Sequence, residues 1–236
     1  GINDEYAITR SSIITGPDGQ TKTPQHPEGI VTLTLSEELS KKKLNINDIY
    51  ADASDLDDGK KKQYVITEAP KKLIVAISRN YATSTGARKK CTQDIVATRN
   101  ENKQLVIKLD KHANDLAVED KPISDLKPTH HCNYRIKGAI VHDGGANGGH
   151  YIYVHSLPDG KYMRHSDDEY REISMEEGEK LIKKGVLFDL ELLSEDAVVE
   201  SVIENADVDI PAAGDAPLKR PNWFKRLFSR STKKAK

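Results

Sequence analysis

One stretch of this chain concentrates residues able to do chemistry. It is HDGGANGGHYIYVHS, residues 142–156, where two glycine pairs precede His150 and aromatic and apolar residues then alternate as they do along a strand. Gly148 and Gly149 carry no side chains, so an extended ligand can pass close to the histidine that follows them. Gly144 to Gly149 reads as the Gly/Asn loop of a hairpin, with His150 opening its second strand. Beyond an LPDG turn at 157–160 comes Ser166-Asp167-Asp168, which a return hairpin of that length brings back near His150. A histidine beside a hydroxyl and carboxylates is the orienting half of a nucleophilic site, because the third group fixes the ring tautomer and stabilises its charged form. Spacing alone leaves the ordinary alternative open, a structural histidine beside a polar turn.

The elements that must position these residues are mostly strands. GIVTLTL (29–35), QYVITE (63–68), KLIVAIS (72–78), QLVIKL (104–109), YRIKGAIVH (134–142), HYIYVHS (150–156) and KYMRH (161–165) are rich in Val, Ile, Leu and Tyr and are separated by Pro, Gly and Asn turns. The last three follow one another as a meander. One helix is expected over SMEEGEKLIKKG (174–185), which opens with Ser174 and Glu177 at capping-box spacing and has Gly185 near its end. A second is expected after Ser36 in SEELSKK, and NINDIYAD gives a short helical turn. The fold class is therefore α+β, a mostly antiparallel sheet with few helices. No internal repeat or nucleotide-binding glycine motif is visible, and neither a cofactor nor a nucleic-acid partner is expected.

At 236 residues, 36% hydrophobic and 31% charged, the chain can bury a sizeable core as one large domain or as a domain with a tail. Apolar runs such as LIVAI at 73–77 are strand-length, far short of the ~20 residues of a spanning helix. The opening GINDEYAITR has neither an initiating Met nor a signal-peptide pattern, so the natural N-terminus is expected upstream of Gly1. Two cysteines, Cys91 and Cys132, without CxxC spacing suit a reducing compartment, and a cytoplasmic location is the default. The net charge of -1 conceals zoning: nine acids and no Lys or Arg from Asp189 to Asp215, then eight Lys/Arg and no acid from Leu218 to Lys236. The folded domain is expected over 1–193, an acidic linker over 194–217 and a basic amphipathic tail over 218–236. In that tail Trp223, Phe224, Leu227 and Phe228 make an apolar stripe flanked by Lys225, Arg226 and Arg230. Such a stripe suits an anionic membrane surface or a docking partner, and a peripheral membrane location follows from the first. The alternative is a C-terminal helix with a solvated basic end.

Tyr134-x-Ile136-x-Gly138-Ala-Ile-Val-His142-x-Gly144, then Gly149-His150-Tyr151, then Gly160-Lys161-Tyr162 and Asp167 resemble the histidine box of the ubiquitin-specific proteases, the papain-like cysteine deubiquitinases. Upstream, Pro70-x-x-Leu73-Ile74-Val75-x-Ile77-x-Arg79, Lys90 and the strand ending Leu105 to Leu109 are similar to that family's palm strands, and the resemblance spans roughly 29–174. It implies that a Cys thiolate attacks the isopeptide carbonyl after the Gly-Gly terminus of ubiquitin or a ubiquitin-like protein. His150 would be the base that activates it. Gly148 and Gly149 would form the narrow channel for the Gly-Gly tail, and Tyr151 would face substrate or support the hairpin. The family's third residue is Asp or Asn. Here alignment through Gly160-Lys161-Tyr162 puts Ser166 at that position, with Asp167 next as the alternative. A serine hydrogen-bonds an imidazole but stabilises the imidazolium less than a carboxylate does.

The family's nucleophile lies in a Gly-Asn-Thr-Cys-type box that this chain does not contain, and its zinc-bearing fingertip cysteines are also absent, so any fingers region in 1–70 would be metal-free. With His142 taken as opposite His150, Cys132 lies ten residues away, ~33 Å along a strand, and cannot reach. Cys91, in ARKKCTQD, is expected to be a structural or surface thiol. His130, His131, Cys132, His142 and His150 offer zinc-type ligands, but not at zinc spacing, and adjacent strand residues point to opposite faces, so no metal site is expected. Three functions remain: a cysteine deubiquitinase whose Cys is supplied by an upstream segment, a non-catalytic ubiquitin-binding module, and a membrane-peripheral adaptor acting through the tail.

Overall fold

A computed structural model of the chain describes residues 6–17, 19–24, 28–52, 54–56, 59–113 and 126–198. In chain order the strands are β1 Thr9–Gly16, β2 Gly19–Pro24, β3 Ile30–Thr34, β4 Ser54–Asp55, β5 Lys61–Glu68, β6 Lys72–Ser78, β7 Asn80–Ala82, β8 Arg88–Lys90, β9 Thr98–Arg99, β10 Leu105–Lys111, β11 His130–Gly144, β12 Gly149–Ser156, β13 Tyr162–Ser166, β14 Glu169–Ile173 and β15 Gly185–Ala197. The helices are α1 Ile46–Ala51 and α2 Met175–Ile182, with a 3-10 turn at Leu39–Lys41. The structure is mostly strand with few helices, as the composition of the strand segments requires.

The sheet is organised around β11. One edge of β11 pairs with β10 over its first half and with β12 over its second, while the other edge pairs with β15 along almost its whole length. Beyond β12 the chain continues as the antiparallel meander β12–β13–β14, and beyond β15 come β6 and, in parallel register, β3. Burial along β11 switches phase. Cys132, Tyr134 and Ile136 are buried, then Ala139 and Val141, and the register against β15 shifts between Ile136 and Gly138. One extra residue at a bulge moves every following side chain to the other face, so the second half of β11 turns a different set of residues inward.

The buried cluster joins this spine to α2, β6 and β3 through Tyr134, Ile182, Leu73, Val75, Val31 and Phe188. Two polar anchors run through it. The Tyr134 hydroxyl donates to the Pro70 carbonyl at 2.7 Å. Arg79, 4% exposed, donates to the carbonyls of Gly185, Gln93 and Lys183 at 2.8, 2.6 and 2.9 Å, tying the turn after α2 to the segment after β8.

Several elements depart from the expectations of the sequence. The Ser174 hydroxyl accepts from the Glu177 N–H as the capping box requires, but α2 ends at Ile182, and Gly185 opens β15 rather than closing the helix. SEELSKK yields only the 3-10 turn, whereas NINDIYAD does form a helix, α1, capped by Asn45. β1, β2, β14 and β15 carry no sequence expectation, and β15 runs beyond Leu193 to Ala197, so the acidic run begins inside a paired strand.

Candidate active site

The β11–β12 hairpin turns through residues 145–148, with Gly144 paired to Gly149, Asp143 to His150 and His142 to Tyr151. This corrects the sequence-based register by one position: His150 faces Asp143, not His142. Because side chains alternate, the correction decides sides. His142 and Tyr151 share one face, their rings 4.7 Å apart, while Asp143 and His150 share the other with Val141 and Ile152. Tyr151 is 61% exposed and braces the hairpin through this ring contact.

The mouth of the hairpin is closed by backbone. A Cβ on Gly149 would sit 2.3 Å from the Asp143 carbonyl oxygen and 2.5 Å from His142 Nε2, distances no side chain tolerates. Gly144 has φ +140°, in the region that favours glycine. A Cβ on Gly148 meets nothing within 4 Å, so that position opens onto space. From below, Lys90 Nζ donates to the carbonyls of His142 and Gly144 at 2.7 and 2.5 Å, which fastens the first strand of the hairpin to β8.

His150 stands at the start of β12 on this fixed frame. Its Nε2 lies 2.9 Å from Ser166 Oγ and 3.6 Å from Asp167 Oδ2. Ser166 is the last residue of β13 and pairs with Glu169, so Asp167 and Asp168 form a two-residue turn. Asp167 adopts φ +51°, a left-handed conformation that Asp tolerates better than most residues. Its carboxylate is close enough to attract a charged ring without hydrogen-bonding it, while the Ser166 hydroxyl can donate to Nε2 or accept from it. Among the described residues Nδ1 makes no hydrogen bond. The ring is thus held at one nitrogen by the turn between β13 and β14.

Cys132 is not placed as a partner to His150. Cys132 is 1% exposed, eleven strand residues from Asp143 or ~36 Å along β11. Burial, with Glu195 adding to it, pushes its thiol up to about 11. Cys91 is buried with Sγ 3.5 Å from the Ser40 carbonyl. Of the other histidines, His130 and His131 sit at the far end of β11, where His131 Nδ1 is 2.7 Å from Asp110 Oδ1, and His155 and His165 stack between β12 and β13 with their Nε2 atoms 3.2 Å apart. Among the described residues no three His, Cys, Asp or Glu side chains gather as a metal site. Trp223, Phe224, Leu227 and Phe228 lie outside the described residues. Sequence reasoning missed Asp143 opposite His150, which depends on strand register, and named Lys90 without its place beneath the turn, which depends on a crossing from β8.

Comparison with known proteins adds two findings. The family model described as Ubiquitin carboxyl-terminal hydrolase matches residues 11–205. Among solved structures, the SAGA Ubp8/Sgf11/Sus1/Sgf73 DUB module bound to ubiquitin aldehyde is similar at TM-score 0.56 and 17% identity, over 80% of this chain and 42% of that one. A yeast SAGA DUB module is similar at 0.56 and 17%, over 80% and 41%. The same module bound to monoubiquitin matches at 0.55 and 18%, again over 80% and 41%. The chain thus spans about two fifths of the length of these structures. No curated protein matches it.

Proposed function

Since the chain belongs to the ubiquitin carboxyl-terminal hydrolase family, we propose that it is the histidine-bearing part of a thiol-dependent hydrolase of ubiquitin isopeptide bonds. In this reading His150 Nδ1 takes the proton of a cysteine thiol supplied by a segment outside residues 1–236. The thiolate adds to the isopeptide carbonyl, and the imidazolium gives its proton to the departing lysine amine as the C–N bond breaks. The resulting thioester is cleaved by water, whose proton again goes to His150. Ser166 and Asp167 hold the ring and balance its positive charge. Gly148 and Gly149 line the approach for a side-chain-free Gly-Gly tail, and Tyr151 supports the hairpin from its other face. The observation that carries the reading is the pair of contacts at His150 Nε2, 2.9 Å to Ser166 and 3.6 Å to Asp167, with Nδ1 left for the thiol.

A second reading is a ubiquitin-binding module without turnover. It is favoured by the burial of both thiols and by a hydroxyl where a carboxylate would stabilise the imidazolium better. The test separates the two. Ubiquitin affinity is measured by calorimetry on this chain and on the full-length gene product, together with labelling by ubiquitin bearing a thiol-reactive C-terminus. Hydrolase function requires labelling of the full-length protein at a cysteine other than Cys91 or Cys132, and loss of turnover in His150→Ala. Ubiquitin binding with no label on the full-length protein establishes the binding module. Absence of both binding and label in the full-length protein refutes the ubiquitin reading altogether.

A further inference from the structure

The face of the sheet that carries His150 continues past Ile152 into a cleft of about 430 Å³, bounded by β11, β12, β13, β14, α2 and the segment around β8. Its charge is one-sided. Arg79, Lys90, Arg164, Arg171 and Lys184 line it against the carboxylates of Asp143 and Glu177. Two of the cations are held by backbone carbonyls, Arg79 by three and Lys90 by two, so their hydrogen bonds are satisfied while their charge is not neutralised. Lys184 is paired with Asp94 at 3.0 Å, and Arg171 with Glu177 at 2.8 Å.

Arg164 is the exception. Among the described residues it makes no hydrogen bond or ion pair, and it stands directly opposite Arg171 in the β13–β14 register. Like charges paired across two strands oppose the pairing. A planar guanidinium with open donors, set beside a second one and near two further cations, matches the geometry of an oxyanion. Val141 and Ile152, each 4% exposed, give the same cleft an apolar floor, so the occupant needs an apolar body as well as an anionic head.

We propose that this cleft binds a small amphipathic oxyanion, a phosphate or carboxylate carried on an apolar group, with Arg164 and Arg171 as its fork. The proposal does not rest on the hydrolase reading, since no hydrogen bond or ion pair joins Arg164 or Arg171 to His150 or Ser166. Calorimetry of the full 236-residue chain with phenyl phosphate, phenylacetate and uncharged benzyl alcohol at matched ionic strength tests it. Saturable binding of phenyl phosphate or phenylacetate is expected, and which of the two is tighter separates a phosphate source from a carboxylate source. Arg164→Ala weakens it by about tenfold or more, Arg164→Lys falls between, and added salt weakens it further. Circular dichroism of both variants remains that of the parent, because Arg164 holds nothing else in place. The proposal is overturned if neither anion binds, if benzyl alcohol binds as tightly, or if Arg164→Ala leaves the affinity unchanged.

Discussion

Gly149→Ala tests whether the hairpin mouth is as tightly closed as its geometry indicates. The added methyl would lie 2.3 Å from the Asp143 carbonyl oxygen, 2.5 Å from His142 Nε2 and 3.0 Å from Gly144 Cα. The imidazole of His142 can rotate away, at the cost of its ring contact with Tyr151. The Asp143 carbonyl belongs to the strand opposite and can move only by opening the β11–β12 pair. Overpacking of this kind costs ~1–3 kcal/mol. For a domain of this size each kcal/mol lowers the melting temperature by roughly 2–4 °C, so a fall of about 2–12 °C is expected. The control is one residue away. Gly148→Ala adds the same methyl into space with nothing within 4 Å, and its effect should stay within ~0.5 kcal/mol. Thermal and denaturant unfolding of the two variants side by side decides the matter. Equal stabilities, or a Gly149→Ala protein as stable as the parent, would falsify the backbone closure and with it the rigid frame on which His150 stands.

Arg79→Met should be among the most damaging substitutions in the domain. It removes three donors from one buried and two part-buried carbonyls, and a loss of about 3–5 kcal/mol measured by urea unfolding is expected, with no alteration if those carbonyls find other partners. Cys132 should resist iodoacetamide in the folded state at pH 8, because its thiol is raised from 9 to about 11 by burial, and unfolding should expose it to rapid alkylation. The sign of its linkage follows: the folded state favours the neutral thiol, so this contribution is fully present below pH 9 and is lost as pH rises toward about 11, which urea midpoints between pH 8 and 11 report.

Much of the fold can be read from the chain because strand residues announce themselves by composition, and the β11–β12–β13 meander has unmistakable turns in GGANGG and LPDG. β15 hid behind its acids. Asp189 and Glu191 alternate with Phe188 and Leu190, both fully buried, so the segment is a strand with one charged face, but its acid content reads as the start of a linker. β1 and β2 were missed for a related reason: their Ser, Thr and Lys residues carry no apolar alternation, and pairing with β5 supplies what propensity does not. At the site, the closeness of Ser166 to His150 follows from loop lengths alone, since a strand, a tight turn and a returning strand permit few outcomes. Which residue faces which does not. A loop of four rather than five residues exchanges His142 for Asp143 opposite the histidine, and because side chains alternate, that single step puts His142 on the face of Tyr151 and sets a carboxylate on the face of His150. Register is therefore the quantity that sequence conveys least and that chemistry at this hairpin depends on most. The same logic makes the Arg164–Arg171 pair invisible before the fold is known, because seven residues of separation become direct opposition only when the turn closes on Asp167 and Asp168.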